Sequence, residues 1–456
     1  MRCRWSPVAL FVILGSAVVA PAQPPREPTD GKVVIPMTVS ASPAPKLALK
    51  YQLLPELRDS LPGNQIPAFY KCFMEQHHLY RSKEVIAERE KWLAAPLADL
   101  AGEKGIVGYG GSSTKQADYA AHLDNVDWAV LSQLQKDGIG LLLPDVQQLR
   151  ELAAVLKVKV RGEIARGEFD AAVRTTKVLF ALSRAFESHP TLIGQLVGIA
   201  IATIALDGVE EFVQQPGAPN LFWALTDLPD PFMDLRKGMQ GERTWLGREF
   251  DVLKKSAPAS DADLKKLADF AEPVFQVRKD GGPWATFQKL AADPAAVTAA
   301  RRRLTAFGLD PAKLSPVHAV MSDDFMKAMQ YQDELMKWTN VPYWKLPADY
   351  EKSKAPAGVF TELPAALVRV KQAQTRLQQR VALVTVIEGI RLHAGEHGKV
   401  PGALDAVKLP LPVDPFTGKA FVYEVKGGVG VLRATPPADM AKNPVYNRVY
   451  EITIRK

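Results

Sequence analysis

The sequence has little cysteine, little net charge and no apolar run long enough to cross a membrane. Two cysteines among 456 residues are too few for a scaffold built on disulfides. The 57 Lys and Arg exceed the 50 Asp and Glu by a formal charge of only +7, which does not indicate a polyanionic partner. With 47% apolar and 23% charged residues, the composition is that of a folded protein rather than a disordered one.

Motifs for nucleotide binding and for common hydrolases are also missing. The glycine-rich stretch 102–115 contains neither G-K-[ST] nor G-x-G-x-x-G, and G-x-S-x-G does not occur around Ser112. The single basic cluster, Arg301-Arg302-Arg303, is typical of a solvated helix face. We therefore predict no cofactor and no nucleic-acid partner.

The N-terminal stretch predicts export. Arg2 and Arg4 precede the apolar run Val8–Ala20, and small residues at Ala20 and Ala22 suit a cleavage site. We expect residues 1–22 to be a signal peptide and the protein to be periplasmic or extracellular. Retention as an anchor is the alternative, although the run is shorter than the ~20 apolar residues that a spanning helix needs.

Cleavage would leave Cys72 as the only thiol and no stable transmembrane anchor. The surroundings of Cys72, PAFYKCFM, are apolar with a helical period. A buried cysteine that behaves as a small hydrophobic side chain is therefore expected.

The periodicity of the mature chain predicts a mainly α protein with a small C-terminal α+β module. Residues 23–47 are rich in proline and predict a flexible tether. We expect a helical body over 48–253, a second helical segment over 254–362, and a long helix with a short antiparallel sheet over 363–456.

Within the body, residues 141–186 predict two antiparallel helices joined at Arg166-Gly167. The turn resembles that of a tetratricopeptide repeat, but no second copy follows, so an irregular body of repeat-like hairpins is expected. Residues 191–206, TLIGQLVGIAIATIAL, contain no charge. A membrane helix is one interpretation of this run, but its length favours a helix buried in the core.

A segment punctuated by proline follows, and it carries Phe222 and Trp223. Asn220 predicts the cap of a short helix that ends before Pro229 and Pro231. If exposed, Phe222 and Trp223 would be candidate anchors for a partner protein. The alternative is that they pack over the helical core.

Further along, Ser322 predicts the N-cap of a helix over 322–338, and residues 363–397 predict a long amphipathic helix. Strand-like runs occupy 420–425, 430–434 and 445–454. A helix ending in glycine, a G-x-x-P turn at 398–401 and DPFTGK at 414–419 resemble the globular head of type II secretion pseudopilins. The chain, including LVGIAIATIALDGVEEFVQQPGAPNLFWAL and DLRKGMQGER, is also similar to uncharacterised exported planctomycete proteins, which imply no activity.

One motif offers a metal hypothesis. His393, Glu396 and His397 fit the H-x-x-E-H spacing of an inverted zinc peptidase, in which two histidines bind zinc and the glutamate acts as base. Gly395 and Gly398 are poor residues for a helix that must carry ligands. We expect no metal here, with His393 and His397 as the only nameable ligand candidates.

Two functions remain open at the level of sequence. The first is a non-catalytic, exported scaffold or binding protein that contacts another envelope protein. The alternative is an envelope hydrolase, metal-dependent through residues 393–397. We favour the first, because no catalytic grouping beyond H-x-x-E-H is recognisable.

Overall fold

The computed structural model describes residues 30–137, 144–275, 281–350, 356–360 and 362–455. The predicted signal peptide and residues 23–29 lie outside them. The mainly α prediction with a small C-terminal sheet is confirmed. The first six helices, α1 to α6, are Gln65–Glu75, His78–Arg81, Lys83–Ala94, Leu97–Leu100, Gly111–Ala121 and Leu131–Asp137. Strands β2 (Leu61–Asn64) and β3 (Leu123–Asn125) form a two-stranded parallel sheet beside them.

The predicted hairpin is present as α7 (Pro144–Ala165) and α8 (Phe169–Ala185). Gly167 joins them with a φ of 72°, a conformation that glycine adopts without steric cost. Its N–H donates to the carbonyl of Ile164, and the N–H of Glu168 donates to Glu163. These bonds satisfy carbonyls at the end of α7, which explains why the helix stops there.

The uncharged run lies in α9 (Leu192–Phe212), at the centre of the helical body. Among the described residues it is the one helix long and apolar enough to cross a membrane, yet 72% of its most apolar window is buried within the fold. Gly198 lets α8 approach, because a Cβ there would lie 2.6 Å from the Cβ of Phe186. The helix therefore packs in the core, as its length predicted.

The next helices, α10 to α15, are Phe222–Thr226, Arg236–Glu249, Asp261–Phe275, Gly282–Ala291, Pro294–Ala306 and Pro316–Met336. Much of this region packs around a second core, which includes Phe250, Phe287 and Phe325. The prediction that Ser322 caps a helix is wrong. The helix begins at Pro316, where Ser315 Oγ accepts from the His318 N–H, and Ser322 is buried two turns inside it.

The long predicted helix is α16 (Glu362–His397), and the predicted strands are β4 (Val422–Lys426), β5 (Val429–Arg433) and β6 (Arg448–Ile454). The sheet has a fourth strand, which lies in the segment predicted to be a flexible tether. Residues 33–39 form β1, which pairs in parallel with β6, so that Val33 lies opposite Arg448 and Val39 opposite Ile454. The alternating side chains of β1 bury Ile35, Met37 and Val39.

The tether prediction is therefore wrong over residues 33–39. The predicted boundary at 363 does not separate two cores either. Side chains of β1, α9, α16 and β6 belong to one continuous hydrophobic cluster. The C-terminal sheet is completed by the N-terminal strand, and α16 packs directly on α9.

A buried ionic network joins these elements at the end of α9. Arg380 of α16 donates from Nε to Glu210 Oε1 at 2.8 Å and from Nη2 to Asp207 Oδ1 at 2.5 Å. Tyr450 of β6 donates its hydroxyl to the same Glu210 oxygen at 2.7 Å. Lys157 of α7 donates to Asp207 at 2.7 Å. Burial alone would raise the pKa of Glu210, but the charges of Arg380 and Arg448 outweigh it and hold that pKa below its usual value.

Replacing Arg380 with Met should destabilise the whole fold. The substitution would remove the main cation from Glu210 and Asp207, and such an uncompensated buried charge costs about 3–5 kcal/mol. A matched control is R433M, because Arg433 pairs with Glu424 on a more exposed part of the sheet, and a pair of this kind contributes less than about 1 kcal/mol. The free energy of unfolding in urea measures both. Equal losses of unfolding free energy in R380M and R433M would contradict the conclusion that the buried network around Glu210 stabilises the fold.

Candidate functional site

A groove of about 890 Å³ opens on one side of the helical body, and we call it the main groove. Its walls come from the segment 54–60, the end of α5 with β3, the end of α8, and the start of α11. The lining residues are Leu54, Pro55, Glu56, Leu57, Ser60, Gln65, Ala121, His122, Leu123, Val126, Ala181, Arg184, Ala185, Glu187, Ser188, Asp234, Arg236, Lys237 and Gln240. Its volume lies in the range of natural ligand pockets.

Local hydrogen bonds fix the α8 wall of the main groove. The helix ends at Ala185, whose carbonyl accepts from Trp128 Nε1 at 3.0 Å and from Ser188 Oγ at 3.1 Å. His189 lies behind this wall, fully buried, with its ring centroid 4.6 Å from that of Trp128. The wall is therefore rigidly supported from the core side.

The charges in the main groove are balanced and mostly paired. Arg184 forms an ion pair with Glu187 and donates to the Phe232 carbonyl at 2.5 Å. Arg236 donates from Nε to Asp234 Oδ2 at 2.6 Å. Burial would raise the pKa of Asp234, but the bonds and charge of Arg236 outweigh it and hold the pKa below its usual value. The carboxylate of Asp234 is therefore ionised at neutral pH.

Two features of the main groove leave binding capacity unused. Leu57 at its rim is 93% exposed, so its apolar side chain is accessible to a partner that enters the groove. Gln65 donates from Nε2 to the Leu123 carbonyl at 2.7 Å. Its Oε1 atom is buried and has no hydrogen-bond partner among the described residues. An N–H group of a ligand would reach that oxygen only after a rotation of the Gln65 side chain towards the groove.

A second hollow of about 590 Å³, which we call the basic hollow, lies between α11, the turn 251–254 and α15. Three cations, Arg243, Arg248 and Lys254, and the carboxylate of Asp251 line it. The other lining residues are Thr244, Gly247 and Met329. Lys254 pairs with Asp251 at 3.0 Å, and Arg243 donates from Nε to Asp333 at 2.7 Å. Arg248 is exposed and forms no ion pair among the described residues.

The two predicted partner anchors differ in their exposure. Phe222 is 0% exposed and packs in the core with its ring near Gly389 of α16, so its role as an exposed anchor is wrong. Trp223 is half-buried, with its ring edge-on to Phe222 at 5.0 Å between centroids. The predicted cap at Asn220 is displaced by one residue, because the N-cap of the short helix is Leu221. Asn220 precedes it, and its Oδ1 accepts from the Phe222 N–H at 2.9 Å.

The H-x-x-E-H residues lie at the end of α16, outside the linings of the main groove and the basic hollow. The rings of His393 and His397 stack at 4.1 Å between centroids, and His397 Nδ1 lies 3.0 Å from the His393 carbonyl oxygen. Glu396 and His397 are exposed. Within the described ranges, no group of three or more His, Cys, Asp or Glu side chains is placed to hold a metal ion.

Cys72 is a buried free thiol, as predicted, with no exposed surface. Burial raises the pKa of its thiol to about 12, so it stays protonated and unreactive at neutral pH.

Comparison with known proteins adds no relative. No protein-family model matches the chain, no curated protein matches it, and no solved structure matches its fold. The interpretation of the two hollows therefore rests on their own chemistry.

Sequence reasoning missed both hollows, because their residues come from segments far apart in the chain. The one local signal is the concentration of Arg and Lys over 236–255, within and just after α11.

The support behind the main groove predicts a pH dependence. Burial lowers the pKa of His189 from 6.5 to about 4. The unfolded chain therefore takes up the proton first, and stability is lost as the pH falls from about 6.5 towards 4. At 1.36 kcal/mol per pKa unit, this amounts to about 2 kcal/mol between pH 7.5 and pH 5.

Urea unfolding of H189N at the two pH values should show a shallower loss of stability on acidification than wild type. The variant H78N, which changes an exposed histidine, is the control and should keep the wild-type dependence. A wild-type slope in H189N would show that His189 is not the group that titrates.

Proposed function

We propose that this chain is an exported, non-catalytic binding protein of the cell envelope, and that its main groove holds an extended segment of a partner protein. The observation that carries the proposal is the solvated side chain of Leu57 beside a groove whose charges, apart from Lys237, are mostly paired. Such a surface offers apolar contact and hydrogen bonding.

The electrostatics of the main groove favour recognition over acid–base catalysis. A general acid or base works best with a pKa near the working pH. The pKa of Asp234 is instead displaced downwards, and both Asp234 and Glu187 are held by arginines. These groups are therefore suited to fixed hydrogen bonding.

The polar groups of the groove favour a polypeptide as the occupant. The ends of β2 and β3 meet the groove at Ser60, Gln65 and Leu123. An extended segment that lies along them would place backbone N–H groups beside Gln65, whose Oε1 they would reach after a rotation of that side chain. Its apolar side chains would contact Leu57, Leu54 and Val126.

Export is supported by the pattern of residues 1–22, and contact with envelope proteins by the resemblance of the C-terminal residues to a pseudopilin head. The burial of α9 within the core is in keeping with a body that lies outside the membrane. A metal-dependent hydrolase is not favoured, because Glu396 and His397 are exposed at the end of α16 and no third ligand accompanies the two histidines within the described residues.

Site-specific photocrosslinking tests the groove. A photoreactive residue at position 57 should give a defined crosslinked product with envelope proteins, whereas one at Met74, also highly exposed, should not. Gln240 is exposed on the groove wall, so Q240W should fill the groove and remove the product. The control K266W, on exposed α12 surface, should leave it unchanged. Equal products from positions 57 and 74, or insensitivity to Q240W, would contradict the proposal.

A further inference from the structure

One face of α11 lines both hollows. The residues that α11 contributes to the main groove are Arg236, Lys237 and Gln240, and those it contributes to the basic hollow are Arg243, Thr244, Gly247 and Arg248. Their spacing of three and four residues is that of a single helix face. The two hollows are therefore neighbouring parts of one surface along a 14-residue helix.

Two cations on this face remain unpaired. Lys237 and Arg248 are exposed, and neither forms an ion pair within the part of the chain that the structure describes. They are eleven residues apart, which is three helical turns, so they project from the same side of α11 about 16 Å apart. Lys237 belongs to the main groove and Arg248 to the basic hollow.

The other cations on the surface are already held. Arg236 pairs with Asp234, Arg243 with Asp333, and Lys254 with Asp251. The paired groups contribute little net charge, whereas Lys237 and Arg248 each present a whole positive charge to a ligand. Beside low-dielectric walls, such charges attract carboxylates more strongly than they would on a flat surface.

We propose that the partner segment carries two carboxylates that bind Lys237 and Arg248 at the same time. An extended chain rises about 3.3 Å per residue and points successive side chains to opposite faces, so two carboxylates on one face lie an even number of positions apart. A separation of four positions spans about 13 Å, and the long side chains of Lys237 and Arg248 cover the difference from about 16 Å. The residues between them would lie over Gln240 and Thr244, and apolar residues on one side would reach Leu57. This inference rests on the proposed function and specifies the ligand of the main groove.

An acidic polypeptide fits the surface better than an anionic polysaccharide. A sugar ring presents an apolar face that packs flat on an aromatic ring, and the linings of both hollows, over the described residues, contain no Phe, Tyr or Trp. The main groove instead offers aliphatic side chains and, after a rotation of its side chain, the unpaired Oε1 of Gln65. These suit apolar side chains and the backbone N–H groups of a peptide.

Fluorescence anisotropy with the full chain tests the inference. The probe is a labelled 14-residue peptide of Leu, Val and Ser with two Glu four positions apart, and the comparison peptide has Gln in place of both Glu. The double variant K237Q/R248Q should bind the acidic peptide at least 10-fold more weakly than wild type. The control R302Q/K313Q removes two other exposed cations and should bind within 2-fold of wild type. Raising the salt concentration should weaken wild type more than K237Q/R248Q.

The outcomes separate this inference from the proposed function. One outcome is that both peptides bind equally, that K237Q/R248Q binds as wild type does, and that Q240W abolishes binding. In that case the main groove binds peptides, and the two-carboxylate inference is overturned. If neither peptide binds, both proposals fail. Tighter binding of polygalacturonate than of the acidic peptide would overturn the inference in favour of a polysaccharide.

Discussion

The packing of the helical body against the C-terminal sheet depends on the acidic residues at the end of α9, which follow the apolar part of this core helix. Glu210 accepts from both Arg380 and Tyr450, and Asp207 accepts from Lys157 and Arg380. Each carboxylate therefore joins elements from distant parts of the chain. Unpaired, these charges would be prohibitively costly inside the protein, so the network specifies one arrangement of α7, α9, α16 and β6.

A second network fixes the same long helix nearer its end. Glu388 accepts from Asn220 Nδ2, from the Leu221 N–H and from Arg391, and Arg391 donates to the carbonyls of Ser40 and Ala218. These bonds position α10 and the residues that follow β1 against α16. The main groove lies on the body that these contacts hold together, so its shape depends on core interactions outside its lining.

The elements that the sequence predicted correctly are those determined by residues close together in the chain. The hairpin at Gly167, the buried α9, the extent of α16 and the three C-terminal strands follow from periodicity and turn residues. Local pattern does not predict the structure of a segment whose conformation depends on a partner far along the chain. The strand at 33–39 is extended because β6 completes it, and Phe222 is buried because α16 covers it.

The same limit applies to the candidate site. The charges over 236–255 are visible in the sequence, but their division into paired cations and the free Lys237 and Arg248 depends on where distant acids such as Asp333 lie. The end of α16 shows the reverse case. His393 and His397 have a ligand spacing, but the helix places them at an exposed end. Spacing predicts a shared helix face and does not predict convergence in a cleft.

The central claim is that buried charges at the end of α9 make the helical body and the C-terminal sheet one cooperative unit. Native-state hydrogen exchange measures this directly. The amides of Leu432 in β5 and Tyr450 in β6 should exchange with the same free energy of opening, within about 1 kcal/mol, as that of Ile201 in α9. Exchange of the strand amides through an opening several kcal/mol less costly than that of α9 would contradict the claim.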